Sequence, residues 1–68
     1  MANHTQQEAI KEIDKIAKEN GFIMREQNAN YGGAKLYKFE DRETGRIFIS
    51  NMLFWVAYEN ALHCETWL

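Results

Sequence analysis

No proline interrupts this chain of 68 residues, and it has one cysteine, Cys64. Without proline clusters or a glycine-serine stretch, no linker-like segment divides it, and one domain is expected over residues 1–68, with a frayed end over residues 1–4. A single cysteine rules out an intrachain disulfide. With no repeated Cys/His spacing, His63, Cys64 and Glu65 do not make up a structural zinc set, so no metal or other cofactor is expected. No apolar run approaches the roughly 20 residues that a membrane-spanning helix needs. No basic-then-apolar leader opens the sequence, and a lone thiol suits a reducing compartment. A cytoplasmic protein with no membrane partner is the expectation.

Cations are missing from one region altogether. All Lys and Arg side chains lie in residues 1–46, while residues 47–68 carry only Glu59 and Glu65 as charges. The formal net charge is −2, so no global positive field draws the chain to nucleic acid. A domain this short buries only about 60 % of its unfolded surface. With disulfides and metal excluded, a dense aromatic core or an oligomeric partner must supply the remaining stability.

What is present in abundance is the run Ile47 to Tyr58, IFISNMLFWVAY, apolar or aromatic throughout except for Ser50 and Asn51. It reads as the end of a strand, a capped turn and the first turns of an apolar helix. Ahead of it, Thr5-Gln-Gln-Glu8 forms a capping box. Apolar Ala9, Ile10, Ile13, Ile16 and Ala17 then share an arc of roughly 120°, which predicts an amphipathic helix ended by Asn20-Gly21. Its outer side sorts into a ridge of Lys11, Lys15 and Lys18 beside one of Glu8, Glu12 and Glu19. Strands are predicted over 22–27, 34–40 and 46–49, joined by a loop over 28–33 and a turn over 41–45 with its glycine late. Ser50 or Asn51 is the expected cap of the last helix. The fold class is α+β, in the order α-β-β-β-α: a three-stranded antiparallel sheet with two helices packed on one face. Its predicted core is Ile10, Ile13, Ile16, Ala17, Phe22, Met24, Leu36, Ile47, Ile49, Leu53, Ala57 and Ala61.

Chemistry is sparse. Ser50, Thr44, Thr66 and Cys64 are the available nucleophiles, with His4 and His63 as bases. Ser50 has a capping role, and neighbours 63 and 64 diverge on a helix, so no triad or dyad forms. Glu40, Asp41 and Glu43 lie at a wet turn, where two carboxyl pKa values are not split. Gly32 and Gly33 precede a strand rather than a helix, which fits neither a phosphate loop nor a dinucleotide fingerprint. A non-enzymatic chain is expected.

The element order and the segment Ala57-Tyr-Glu-Asn-Ala-Leu62 resemble the double-stranded RNA-binding domain. The resemblance implies a nucleic-acid partner, with Lys11, Lys15, Lys18 and Arg25 as the contacting residues. The sequence departs from that family where function resides. Ser50, Asn51, Met52 and Leu53 stand where the family has lysines, and 28–33 replaces its Gly-Pro-x-His-like loop. Phosphate contacts supply most duplex affinity, so nucleic acid is the alternative rather than the expected partner.

The expected partner is another protein, in the manner of a regulator or inhibitor occupying a surface of a larger protein, with homodimerisation as a second form of the same idea. The final helix has an apolar arc of about 200°, twice what one core requires. The surplus, Met52, Trp55, Val56 and Trp67 with Glu59 beside them, is the predicted protein-binding set.

Overall fold

The computed structural model describes residues 5–68, so the expected frayed end at 1–4, with His4, lies outside the described residues. Helix α1 spans Gln6–Asn20. The Thr5 hydroxyl accepts from the Glu8 backbone N–H, and the Glu8 carboxylate accepts from the Thr5 N–H, as the capping box predicts. Gly21 ends the helix at φ 79°, a left-handed conformation in which glycine is unstrained. Ala9, Ile13 and Ala17 form the buried stripe.

Three antiparallel strands follow, β1 (Phe22–Tyr31), β2 (Ala34–Asp41) and β3 (Ile47–Met52), ordered β1-β2-β3. Both edge strands are longer than predicted. β1 continues through residues 28–31, which were expected to be loop, and a turn at Gly32-Gly33 closes the hairpin. β3 runs on through Ser50 and Asn51, so neither caps a helix. The reason is a pair of bulges. Between Glu40↔Ile47 and Phe39↔Ile49, one step along β2 matches two along β3. Between Phe39↔Ile49 and Tyr37↔Met52, two steps along β2 match three along β3, and Asn51 absorbs the extra residue at φ 60°. Asparagine is among the few non-glycine residues that enter this region at modest cost. The β2–β3 turn is as predicted: the Asp41 carboxylate accepts from the N–H groups of Glu43 and Thr44, and Gly45 lies at φ 78°.

Helix α2 spans Phe54–Leu62, and a 3-10 turn over Cys64–Thr66 leads to Trp67. Its N-cap is Leu53, which has no side-chain hydrogen bond to offer. The two helices cover one face of the sheet, the face that carries Phe22, Met24, Tyr37 and Phe39. Phe22 and Phe39 are fully buried, each worth about 1.5–3 kcal/mol of burial.

Four predicted core members fall elsewhere. Ile47 pairs with Glu40 and is 51 % exposed, because the first bulge leaves it outside the helix-covered face. Leu53 is a cap rather than a helix-interior residue, and Ile10 sits at the edge of the α1 stripe; both are exposed. Leu36 alternates with Tyr37 onto the other side of β2, half-buried and outside the core cluster. Ala9, Phe39, Met52, Phe54 and Cys64 belong to the core instead.

Candidate functional site

Two aromatic groups divide the labour. Trp67 stacks on Phe39 at 5.2 Å and 14°, meets Phe22 edge-on at 5.0 Å and touches Phe48 at 5.6 Å. Its indole N–H donates to the Asn60 carbonyl at 2.9 Å. The C-terminal residues thereby close the open end of the core. Trp67 was expected at a protein-binding surface; its half-buried ring is packed inward instead. Met52 needs the same correction. It is 3 % exposed, because the second bulge turns it onto the helix-covered face opposite Tyr37. The Asn60 amide lies 3.5 Å from its sulfur.

The second group leads outward. Tyr37 contacts Phe54 at 5.7 Å, Phe54 contacts Trp55 at 5.0 Å, and Trp55 contacts Tyr58 at 5.6 Å, all near perpendicular. Tyr58 donates its hydroxyl proton to Glu12 at 2.7 Å, which ties α2 to α1. That bond, first among its causes, raises the Tyr58 pKa above its ordinary value. Trp55 lies between Phe54 and Tyr58, its ring braced on both flanks and half in solvent, at 50 % exposure. Val56 is 49 % exposed, and Leu53, Glu59 and Leu62 are also exposed around it. Of the predicted protein-binding set, Trp55, Val56 and Glu59 are therefore together on the outer side of α2.

The surface here is shaped. A depression of about 410 Å³ is lined by Tyr37, Phe54 and Trp55, with Gln6, Ala34 and Lys35 at its sides. A second, of about 390 Å³, is lined by Leu36, Asn51 and Met52. Leu53 and Val56 belong to both and form the ridge between them. Sequence reasoning missed Leu36 and Leu53 as surface residues. The imperfect alternation of β2 was the available signal for the first; nothing in the sequence signalled the second once the helix start was set too early.

The cations do not form one footprint. Lys11, Lys15 and Lys18 are exposed on α1, where Lys18 pairs with Asp14 at 3.0 Å. Arg25 belongs to the other face of the sheet. There its guanidinium pairs with Glu40 at 2.8 Å while Lys38 reaches the second carboxylate oxygen at 2.9 Å. This clamp, Lys38 first, holds the Glu40 carboxyl below its usual range. At the start of α2, the first turn is Phe54, Trp55 and Val56, as free of lysine as the positions where the helix was expected to begin.

Catalytic candidates are dispersed. Cys64 is buried, and His63 is exposed, 4.0 Å from Glu65. Among the described residues no group of three His, Cys, Asp or Glu side chains could hold a metal ion, and no helix is long and apolar enough to cross a membrane. Compared with protein-family models, curated proteins and solved structures, the chain matches none, so its likeness to the double-stranded RNA-binding domain rests on element order.

Proposed function

We propose that this chain is a non-enzymatic protein-binding domain, a small regulator or inhibitor that acts by occupying the surface of a larger protein. Its contact surface is the outer side of α2 with Leu53 and Leu36 beside it. The observation that carries this reading is the state of Trp55. A large aromatic ring held by Phe54 and Tyr58, yet half in solvent, loses little conformational entropy when a partner covers it. Rigid, half-wet tryptophans surrounded by aliphatic side chains are the residues on which interface energy concentrates. Glu59, exposed one turn beyond Trp55 on the same side of α2, supplies a charge that orients such a contact.

The test is a photo-crosslinking residue at position 55 in the producing cell, identification of the adduct, and titration of that protein with the purified chain. Trp55→Glu is expected to keep the far-ultraviolet circular dichroism spectrum and to weaken binding at least about 100-fold, the scale of an interface hot spot. Unchanged affinity in a folded Trp55→Glu variant would refute the proposal.

A further inference from the structure

We infer that a second copy of this chain docks on the same surface, with the two α2 helices antiparallel about a two-fold axis. The inference rests on the protein-binding reading above and names one partner for that surface. A two-fold contact requires knob and hole side by side on one patch, since each copy must offer both. The Leu53–Val56 ridge flanked by two depressions of nearly equal size, about 410 and 390 Å³, meets that requirement.

The charges add a direction. Lys35 borders the depression at the N-terminal end of α2, and Glu59 follows Trp55 by one helical turn toward the C-terminal end. Lys35 is 64 % exposed and pairs with Glu26 at 3.7 Å, an exposed ion pair that a second carboxylate can share. Antiparallel docking sets Lys35 of each copy against Glu59 of the other, twice over. The start of α2 has neither a side-chain cap nor an acidic residue in its first turn. A carboxylate arriving there from the second copy meets the positive end of the helix as well as Lys35. A parallel arrangement would oppose like charges at both ends.

The exposed apolar patch is small: Leu53, Trp55, Val56 and Leu62, each 40–50 % exposed. Two such patches make a contact below about 1,200 Å² in total, the range of weak, reversible association. Contacts of that size are weak and reversible, so docking on a larger protein competes readily with self-association.

The experiment is analytical ultracentrifugation of the full chain from about 10 µM to about 1 mM, the range in which weak association is read. The expected result is a mass that climbs toward twice the monomer value. Lys35→Glu and Glu59→Lys should each weaken the dimer roughly five- to tenfold, and the double variant in one chain should bind more tightly than either single variant but less tightly than the parent, because the positive end of α2 no longer meets a carboxylate. Val56→Glu, at an exposed position, should abolish it without loss of helix content. A monomer throughout the range overturns the inference, and leaves the protein-binding reading intact if the photo-crosslinked partner still depends on Trp55. A dimer that survives Val56→Glu, or charge variants that fail to rescue one another, overturns the proposed geometry.

Discussion

Gln27 and Asn51 pair at two points across the width of the sheet. The Gln27 amide oxygen accepts from the Asn51 backbone N–H at 2.6 Å, and its amide nitrogen donates to Asn51 Oδ1 at 3.2 Å. One side chain from β1 thus reaches over β2 to hold the left-handed residue that bends β3. Two consequences depend on that bend: Met52 faces the core, and Leu53 is left in the open as the cap of α2. Gln27→Ala should therefore lower stability by about 1 kcal/mol, the usual net worth of such bonds. Asn51→Val should cost about 2 kcal/mol, since a β-branched residue is strained at φ 60°. Asn51→Gly keeps the conformation and should cost least. Urea midpoints at constant slope rank the three variants.

Trp67 should matter to the fold as much as any residue within the helices. Its contacts with Phe22, Phe39 and Phe48 are lost on truncation to alanine, at a cost of about 3–5 kcal/mol. For a domain of this size that is most of the total stability, so Trp67→Ala should be largely unfolded at 37 °C by circular dichroism. Fluorescence separates the two tryptophans. Trp55→Phe should emit to the blue of the parent and resist acrylamide, because Trp67 alone then reports. An emission maximum unchanged by Trp55→Phe would contradict the half-exposed state of Trp55.

Acid should destabilise the protein through the turn. Asp41 accepts from two backbone N–H groups, Thr44 first, and its carboxyl lies below the usual range. The folded pKa is depressed relative to the unfolded chain. The stabilisation is therefore present above about pH 4 and is lost as pH falls through the folded value. Glu40, lowered by Lys38 and Arg25, acts in the same sense. Asp41→Asn should reduce the urea midpoint at pH 7 and flatten its decline between about pH 5 and pH 2. An acid limb as steep as the parent's would place the titrating group elsewhere. Tyr58 has the opposite sign. Its pKa is raised, so its share is present below about pH 10 and lost above, and Tyr58→Phe should remove that part of the alkaline limb.

Duplex RNA should not be retained. Arg25 lies on the other face of the sheet, paired with Glu40, and Lys18 has Asp14 beside it, so at most Lys11, Lys15 and Lys18 can meet one duplex. Three cations give a salt slope of about 3 at most and weak affinity. A gel-shift series at low salt should show no discrete complex. A complex that dissociates steeply with salt and is lost on replacing Lys11 and Lys15 would favour the nucleic-acid alternative.

How much of the candidate surface was legible follows from where the chain bends. Trp55, Val56 and Glu59 could be placed on the outer side of a helix because helical spacing is a local property, and 54, 57 and 61 recur on one stripe wherever the helix begins. Met52 and Trp67 lie inward, against that expectation. Whether an apolar residue is surplus depends on what lies opposite it. For Met52 that is Tyr37, brought into register by a bulge; for Trp67 it is a cluster drawn from all three strands.

The sequence by itself determined the elements whose signals are short-range: the Thr5–Glu8 capping box, the stop at Gly21, the Asp41–Gly45 turn, and with them the α-β-β-β-α order. Only the tertiary structure decided which apolar side chains face inward. In strands the side-chain period is two, so one inserted residue in β3 exchanges core for surface along everything that follows. The bulge is closed by Gln27, 24 positions away, and no local pattern around Asn51 carries that information.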